Sequence, residues 1–296
     1  MLSEFVRTVI TLVCINLIAV LGVSVLTGFT DIFSFGNAGF MSIGAYTSAL
    51  LTLRLGVPFI FALIAGIIAA GFIAYLLGSI TLKLKGDYFL ITTLGFGECV
   101  RVLFNYISPV TGGAKGLPGI EQHTSFGLVI LCTVLAVIIA WTFVRSKYGR
   151  NMSAIREQEV AAEAVGVNIT KFKMMSFVFS AMYAGWAGVL LAHFMRYLTP
   201  AMFNIQKSSE MTIIVVIGGM GSLTGSILGT ILIVLLPEIF RSFANYRMLF
   251  YGIAVILVIV LRPRGLFGHR EFSITGIIKW CKKVLSGRKR VREGSE

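Results

Sequence analysis

Seven windows of this chain are apolar for long enough to cross a lipid bilayer, and no other feature narrows its possible folds as much. They lie near residues 6–26, 37–53, 59–82, 88–107, 126–144, 172–194 and 246–261, and a spanning helix needs roughly 17–25 such residues. A further stretch, 208–240, is too long for one span. Its Gly218-Gly219-Met220-Gly221 run predicts two shorter helices around a break. The expectation is an all-α, polytopic membrane protein of eight or nine helices, some broken or re-entrant. Composition agrees: 56% of the 296 residues are hydrophobic, 13% are charged, and the mean hydropathy is +0.88. A soluble fold of this size would still cover its exterior with polar groups, and these windows have none to use. The run after Arg7 reads as the first helix and not a cleaved leader, because it has span length, lacks a small-x-small site and is followed by more spans.

The net charge of +13 has to be located before it is interpreted. No basic stripe with interleaved aromatics suggests nucleic acid; the Lys and Arg residues sit between and after the apolar runs. The connection 145–173 holds six of them and the stretch 262–292 holds ten. Short loops rich in these residues stay in the cytoplasm, so both segments, and with them the C-terminus, are expected there. Lys83 and Lys85 fall on the same side. The loop around Thr111, Gly112, Gly113 and Gly116 falls opposite. An even number of crossings between Lys173 and Arg262 is then required, which favours two short helices in 208–240. The side of the N-terminus stays open, since a re-entrant 29–36 would reverse it.

Catalytic chemistry finds little support. Cys14, Cys99, Cys132 and Cys281 are isolated, and His123, His193 and His269 are scattered, so no metal site or triad is expected. The chain contains no Gly-Lys dipeptide and therefore no phosphate loop of the G-x-x-x-x-G-K-[ST] kind. If ATP drives this protein, another subunit binds it with its magnesium; this chain needs no cofactor.

Two glycine-rich breaks are more informative. The first runs from Phe33 through Asn37 and Gly39 to Phe40; the second is Gly218-Gly219-Met220-Gly221-Ser222. Helices in hydrocarbon give up backbone hydrogen bonds only where protein or a water-lined path replaces them. The breaks read either as interrupted helices of two structural repeats beside a solute path or as close helix crossings with small residues at the contact. On the 88–107 helix, Thr92 and Thr93 add polarity, and Glu98 and Arg101 are spaced to pair. An intramembrane charge costs ~2.5–3.5 kcal/mol on lenient scales. The pair either flanks a path or partner, or neutralises itself and locks its helix to neighbours.

Residues 149–168 predict a cytoplasmic helix capped by Asn151 or Ser153 and ended by Gly166. Ala161, Ala162, Ala164 and Val165 give it a small apolar face suited to a partner's groove, beside Glu159 and Glu163. The tail 269–296 carries an apolar face from Ile274 to Leu285 among lysines, then the basic cluster 288–292. That pattern suits a helix lying on anionic lipid.

Taken in order, several motifs resemble the LivM-type branched-chain amino-acid permeases of ATP-binding-cassette (ABC) importers, a wider group that includes urea and sugar permeases. They are Ser34-Phe35-Gly36-Asn37-Ala38-Gly39-Phe40, Thr92-Thr93-Leu94, Thr111-Gly112-Gly113 with Gly116-Leu117-Pro118-Gly119, Ala154-Ile155-Arg156-Glu157 with Ala161-Ala162 and Gly166, Gly218-Gly219-Met220-Gly221-Ser222, and Arg262-Pro263-Arg264-Gly265. The resemblance runs to Gly268, so residues 1–268 are taken as the permease domain. It implies an inner-membrane heterodimer with a related permease, two cytoplasmic ATPases and a periplasmic or lipid-anchored binding protein. By the same analogy Arg156, Glu157, Glu159, Ala161, Ala162, Glu163 and Gly166 dock the ATPase, and Thr111, Gly112, Gly113 and Gly116 meet the binding protein. Transport by alternating access follows, with Asn37, Gly39, Gly218, Gly219 and Gly221 at the moving breaks. Urea or a short amide is the alternative solute, and an ion-coupled secondary carrier the alternative class.

Overall fold

In a bilayer every backbone polar group must be satisfied within the protein, and the chain meets this requirement almost entirely with helices. The computed structural model describes residues 2–84 and 86–239, together with Gly252. The span expected at 246–261, the tail from 269, Cys281 and His269 lie outside the described residues. The bundle comprises α1 (Leu2–Thr30), α2 (Asn37–Leu55), α3 (Phe59–Thr81), α4 (Asp87–Tyr106), α6 (Phe126–Arg145), α9 (Ile169–Met195), α10 (Ile205–Gly218) and α11 (Leu223–Ile239), with the short α5 (Ser108–Thr111), α7 (Lys147–Glu157) and α8 (Glu159–Ala164) at its ends. Among the described residues, α1, α3, α6 and α9 are long and apolar enough to cross a membrane individually. With its continuation beyond an 80° bend, α4 makes a fifth. The 208–240 stretch is the helix pair α10 and α11, broken where the glycines predicted.

α9 is the axis, packed along α1, α2 and α3. Lipid supplies no hydrophobic drive for helix association, so contact rests on close van der Waals fit. A methyl on Gly44 would fall on the backbone of Gly185, and one on Gly188 would fall on the carbonyl of Met41. These crossings hold α2 and α9 at backbone contact. The outer faces of α3 and α6 are apolar and exposed, among them Ile60, Ile64, Phe72, Leu131 and Leu135, as lipid-facing surfaces should be.

Contacts fix which ends belong together. Gly78 near the end of α3 packs on Met174 and Phe177 near the start of α9. Lys83 therefore lies at the same end as the 145–173 connection, as the charge pattern requires. At the opposite end a two-stranded ladder, β1 (Leu117–Pro118) with β2 (Tyr197–Leu198), ties the loop after α4 to the end of α9 in the register Leu117↔Leu198. Arg156 on α7 donates to the carbonyl of Gly28 near the end of α1 (2.8 Å), so α1 begins at the end opposite α7. The 29–36 stretch thus leaves α1 at its α7-side end and runs into the bundle, where α2 starts beside Ser180 and continues away from α7 to His193, so it is not a reversal. α10 runs toward the α7 side and α11 returns, as two short helices in 208–240 require; the even number of crossings also needs the 246–261 span, which lies outside the described residues.

The segment after α6 departs from the expected single capped helix. Ser146 ends α6 and at once accepts the Tyr148 N–H (3.1 Å), so α7 starts without a linker. Ser153 turns back to the Gly149 carbonyl (3.1 Å) and caps nothing. The chain extends at Gln158 (φ −160°, ψ 107°), which separates α7 from α8, and Gly166 follows at φ +85°. Gly149, upstream of both expected caps, is already helical; a methyl there would overlap Val144.

Gly188→Val should force α2 from α9 and lower the melting midpoint in detergent by about 2–12 °C, from an overpacking cost of ~1–3 kcal/mol. Gly95→Ala, with nothing within 4 Å of the new methyl, should leave the midpoint unchanged. Size-exclusion after heating would report both.

Candidate functional site at the two helix breaks

Between α1 and α2 the chain leaves regular structure for residues 31–36 and enters α2 inside the bundle. The N-terminal N–H groups of a helix have no partners of their own, and here they are met by small polar side chains. The Phe35 N–H donates to Thr93 Oγ1 (3.2 Å), the Gly36 N–H to Ser34 Oγ (3.3 Å) and the Ala38 N–H to Ser208 Oγ (2.9 Å). Asn37 Nδ2 donates to the Ser34 carbonyl (3.0 Å), and Asn37 Oδ1 accepts from Ser180 Oγ (3.3 Å). All of these side chains are buried. Ser180 stands 11 residues after Ile169, the start of α9, so at 1.5 Å per residue α2 begins about 16 Å along α9. The positive end of the α2 dipole thus lies deep in the bundle. Gly39 and Gly36 let α4 approach: a methyl on either would stand 3.0 Å from backbone atoms of Gly97 or Thr93.

The second break lies against the end of α1. Ser226 Oγ donates to Ser24 Oγ (2.8 Å), and a methyl on Gly28 would stand 2.9 Å from Gly221 N. Gly218 and Gly225 face each other at backbone contact where α10 turns into α11. Gly219 (φ +112°) and Gly221 (φ +86°) take conformations that suit glycine. A side chain on Gly221 would also collide with the Arg156 guanidinium. Arg156 therefore touches the end of α1 and the α10–α11 turn together. Sequence placed Arg156 on a docking surface; the structure turns it inward.

Other expected docking residues divide similarly. Ala162 is only 4% exposed and packs on the core, whereas Val160 (75%) and Val165 (80%) stand out from α8 with Ala161 and Ala164. Glu157, Glu163 and Gly166 are exposed. Glu159 pairs with Lys173 through both carboxylate oxygens (2.9 Å each), tying α8 to α9. Val160, which the sequence reading left out, is among the most exposed apolar side chains of the segment. Its signal was available: it precedes the alanines on the same short helix.

Glu98 and Arg101 do pair, with Glu98 Oε2 accepting from Arg101 Nη2 (2.6 Å) and Nε (2.7 Å), on a partly exposed face of α4. Thr93 belongs to the first break, but Thr92 bonds the Tyr88 carbonyl (2.7 Å) and stands apart from it. In the loop beyond α4, Thr111, Gly113 and Gly116 are buried and build the loop from within. Thr111 Oγ1 donates to the Ile107 carbonyl (2.8 Å), and Gly116 sits against Tyr197, Leu198 and Thr199. Gly112, at φ +74°, closes α5. The outward residues are Ala114, Lys115, Pro118 and Gly119. Sequence placed Ser34 within the first break but did not reveal Ser180 and Ser208 beside it; isolated hydroxyls in apolar helices are the only trace those two leave.

The mutual satisfaction of Glu98 and Arg101 predicts a sign pattern. Glu98→Leu alone should lower folded yield by leaving an unpaired guanidinium, a cost of ~2.5–3.5 kcal/mol at bilayer depth. Adding Arg101→Leu should restore most of that yield, read as the monodisperse fraction after extraction.

Comparison with known proteins fits this geometry. The family model described as branched-chain amino acid transport system / permease component matches residues 5–261. The high-affinity branched-chain amino acid transport system permease protein LivM of Escherichia coli (strain K12) is 35% identical over 301 residues, covering 90% of this chain and 71% of that protein. A probable LivM of Methanocaldococcus jannaschii is 25% identical over 252 residues (75% and 72%), and LivH of Escherichia coli K12 is 27% identical over 151 residues (50% and 49%). No solved structure matches the chain. A multi-pass helical bundle with this sequence match is a membrane permease, and the chain belongs to the family of branched-chain amino acid transport system permease components.

Proposed function

We propose that the protein is one of two membrane subunits through which an ABC importer moves branched-chain amino acids into the cell, and that α7–α8 is where an ATPase pushes. The observation that carries the coupling is Arg156. It reaches from the exposed segment to the Gly28 carbonyl and lies against Gly221, so a displacement of α7 is felt at both breaks. The outward Val160, Ala161, Ala164 and Val165 form the face that enters the ATPase groove, and the Glu159–Lys173 pair carries the same motion into α9. ATP and magnesium belong to two partner ATPases. A LivH-like chain is the second permease, because this chain has relatives of both kinds. A binding protein delivers solute at the opposite face, where Ala114, Lys115, Pro118 and Gly119 are outward.

In this reading the α7 end, with residues 145–173 and the tail 269–296, is cytoplasmic in an inner membrane, and 1–268 is the permease domain. Alternating access needs an element with two arrangements. The breaks supply it: their backbone is held by single hydroxyl and amide contacts, which exchange at modest cost, ~0.5–1.5 kcal/mol each. Binding energy released at α7–α8 on ATP-driven closure then favours one arrangement over the other. Branched-chain solutes suit a route whose polar groups are uncharged hydroxyls and one amide.

Two substitutions separate docking from transmission. Val160→Asp with Val165→Asp should weaken ATPase binding by at least about tenfold (1.4 kcal/mol), with ATP hydrolysis and leucine uptake falling together in reconstituted vesicles. Arg156→Ala should leave hydrolysis in place and lower ATP-driven leucine uptake by a similar factor of about ten. Full uptake in Arg156→Ala vesicles would remove the coupling role.

A further inference from the structure

An open groove of about 720 Å³ lies on the outer face, between α3 and α6 and floored by α9. Tyr75 and Phe143 form its walls, and Met174, Val178 and Met182 its floor. Glycines on α3 set its shape: methyls on Gly71 and Gly78 would each stand 2.8 Å from Met182 Cγ and Met174 Sδ. α6 meets α9 here through the stack of Phe143 on Phe179 at 4.4 Å, and within α9 Phe179 stacks in turn on Tyr183 at 4.4 Å. The groove opens within the exposed apolar belt of α3 and α6.

Its polarity is confined to one end. Asn168, Thr170 and Lys171 line the mouth at the first turn of α9. Lys171 is exposed and makes no ion pair among the described residues, whereas Lys173 is taken by Glu159. A second cation is nearby: Lys147 Nζ lies 5.6 Å from the Tyr148 ring, which stacks at 6.4 Å on Phe143. The positive end of the α9 dipole points the same way. From Asn168 to Met182 is 14 residues, or about 21 Å at 1.5 Å per residue, which is half of a bilayer ~40–45 Å thick with its headgroups. One cationic mouth and one leaflet's depth of apolar wall describe a single kind of occupant.

We propose that this groove is a binding site for an anionic phospholipid, its phosphate on Lys171 and the α9 N-terminus and an acyl chain along Met174, Val178 and Met182. Unbranched methionines adapt to a chain of variable kink. Seated there, the lipid braces the turn of α9 to which Glu159 ties α8.

Tyr75→Trp places a reporter in the groove wall, read as the fluorescence difference from the otherwise identical chain. The protein, extracted with its partner subunits, is reconstituted in phosphatidylcholine vesicles containing a minor fraction of brominated phosphatidylglycerol or, separately, brominated phosphatidylcholine. Quenching should show about a fivefold preference for the phosphatidylglycerol, the factor given by ~1 kcal/mol for one lysine near an anionic surface. That preference should disappear with Lys171→Gln, an exposed position that folding tolerates. Equal quenching by both lipids, or a preference that Lys171→Gln leaves intact, would overturn the proposal. So would absence of quenching by either, which would mean that a protein surface fills the groove.

Discussion

Much of this structure depends on how unpaired backbone is satisfied away from water. At the first break, three N–H groups at the start of α2 are met by hydroxyls from residues far away in sequence, Thr93 on α4 and Ser208 on α10, and by the neighbouring Ser34. Those bonds can form only if α4, α9 and α10 approach α2 closely. That proximity explains why Gly36 and Gly39 face Thr93 and Gly97, and why Gly44 and Gly188 let α9 lie against α2. The polar break and the glycine crossings are therefore parts of one arrangement. Of the alternatives left open by the sequence, close packing is what these contacts show, and the solute path is the reading proposed above.

A second dependence links the surface to that interior. Arg156 joins the α7 backbone to the last turn of α1, and α1 in turn carries Ser24 and Gly28 against α11 and the α10–α11 turn. α1 is one unbroken helix of 29 residues, and in the proposed mechanism it carries displacement along its length to the two turns beside it. Stiff helices joined at soft turns are what a transporter needs to change access without losing its hydrogen bonds. Membership of the permease family gives that mechanical arrangement its context.

Windows 6–26, 59–82, 126–144 and 172–194 were legible as spans because hydrocarbon length is a coarse constraint, and 88–107 joins them through its bent continuation; 37–53 is a helix that starts inside the bundle, 246–261 lies outside the described residues, and the 208–240 stretch betrayed its break through Gly218-Gly219-Met220-Gly221. Charge asymmetry correctly grouped Lys83 with residues 145–173. What was not legible depended on partners distant in sequence. Ala162 and Val160 look equivalent on a short helix until α9 is known to lie under one of them. Arg156 reads as a surface charge until Gly28 and Gly221 are placed beside it. Thr111, Gly113 and Gly116 read as an outward loop, yet the turn back to β2 folds them inside. Ser146 was missed as a cap because helix followed helix with no linker to mark the boundary.

The central claim is that an ATPase docks on α7–α8 of this chain, within an importer that contains a second permease. Mild extraction of the tagged protein after cross-linking from cysteines introduced at Val160 and Val165, with mass spectrometry of the products, tests it most directly. The account predicts a related permease and an ATPase in the complex, with the ATPase joined at both positions. Recovery of this chain alone, or with copies of itself and no ATPase, would contradict the account and favour a carrier driven by an ion gradient.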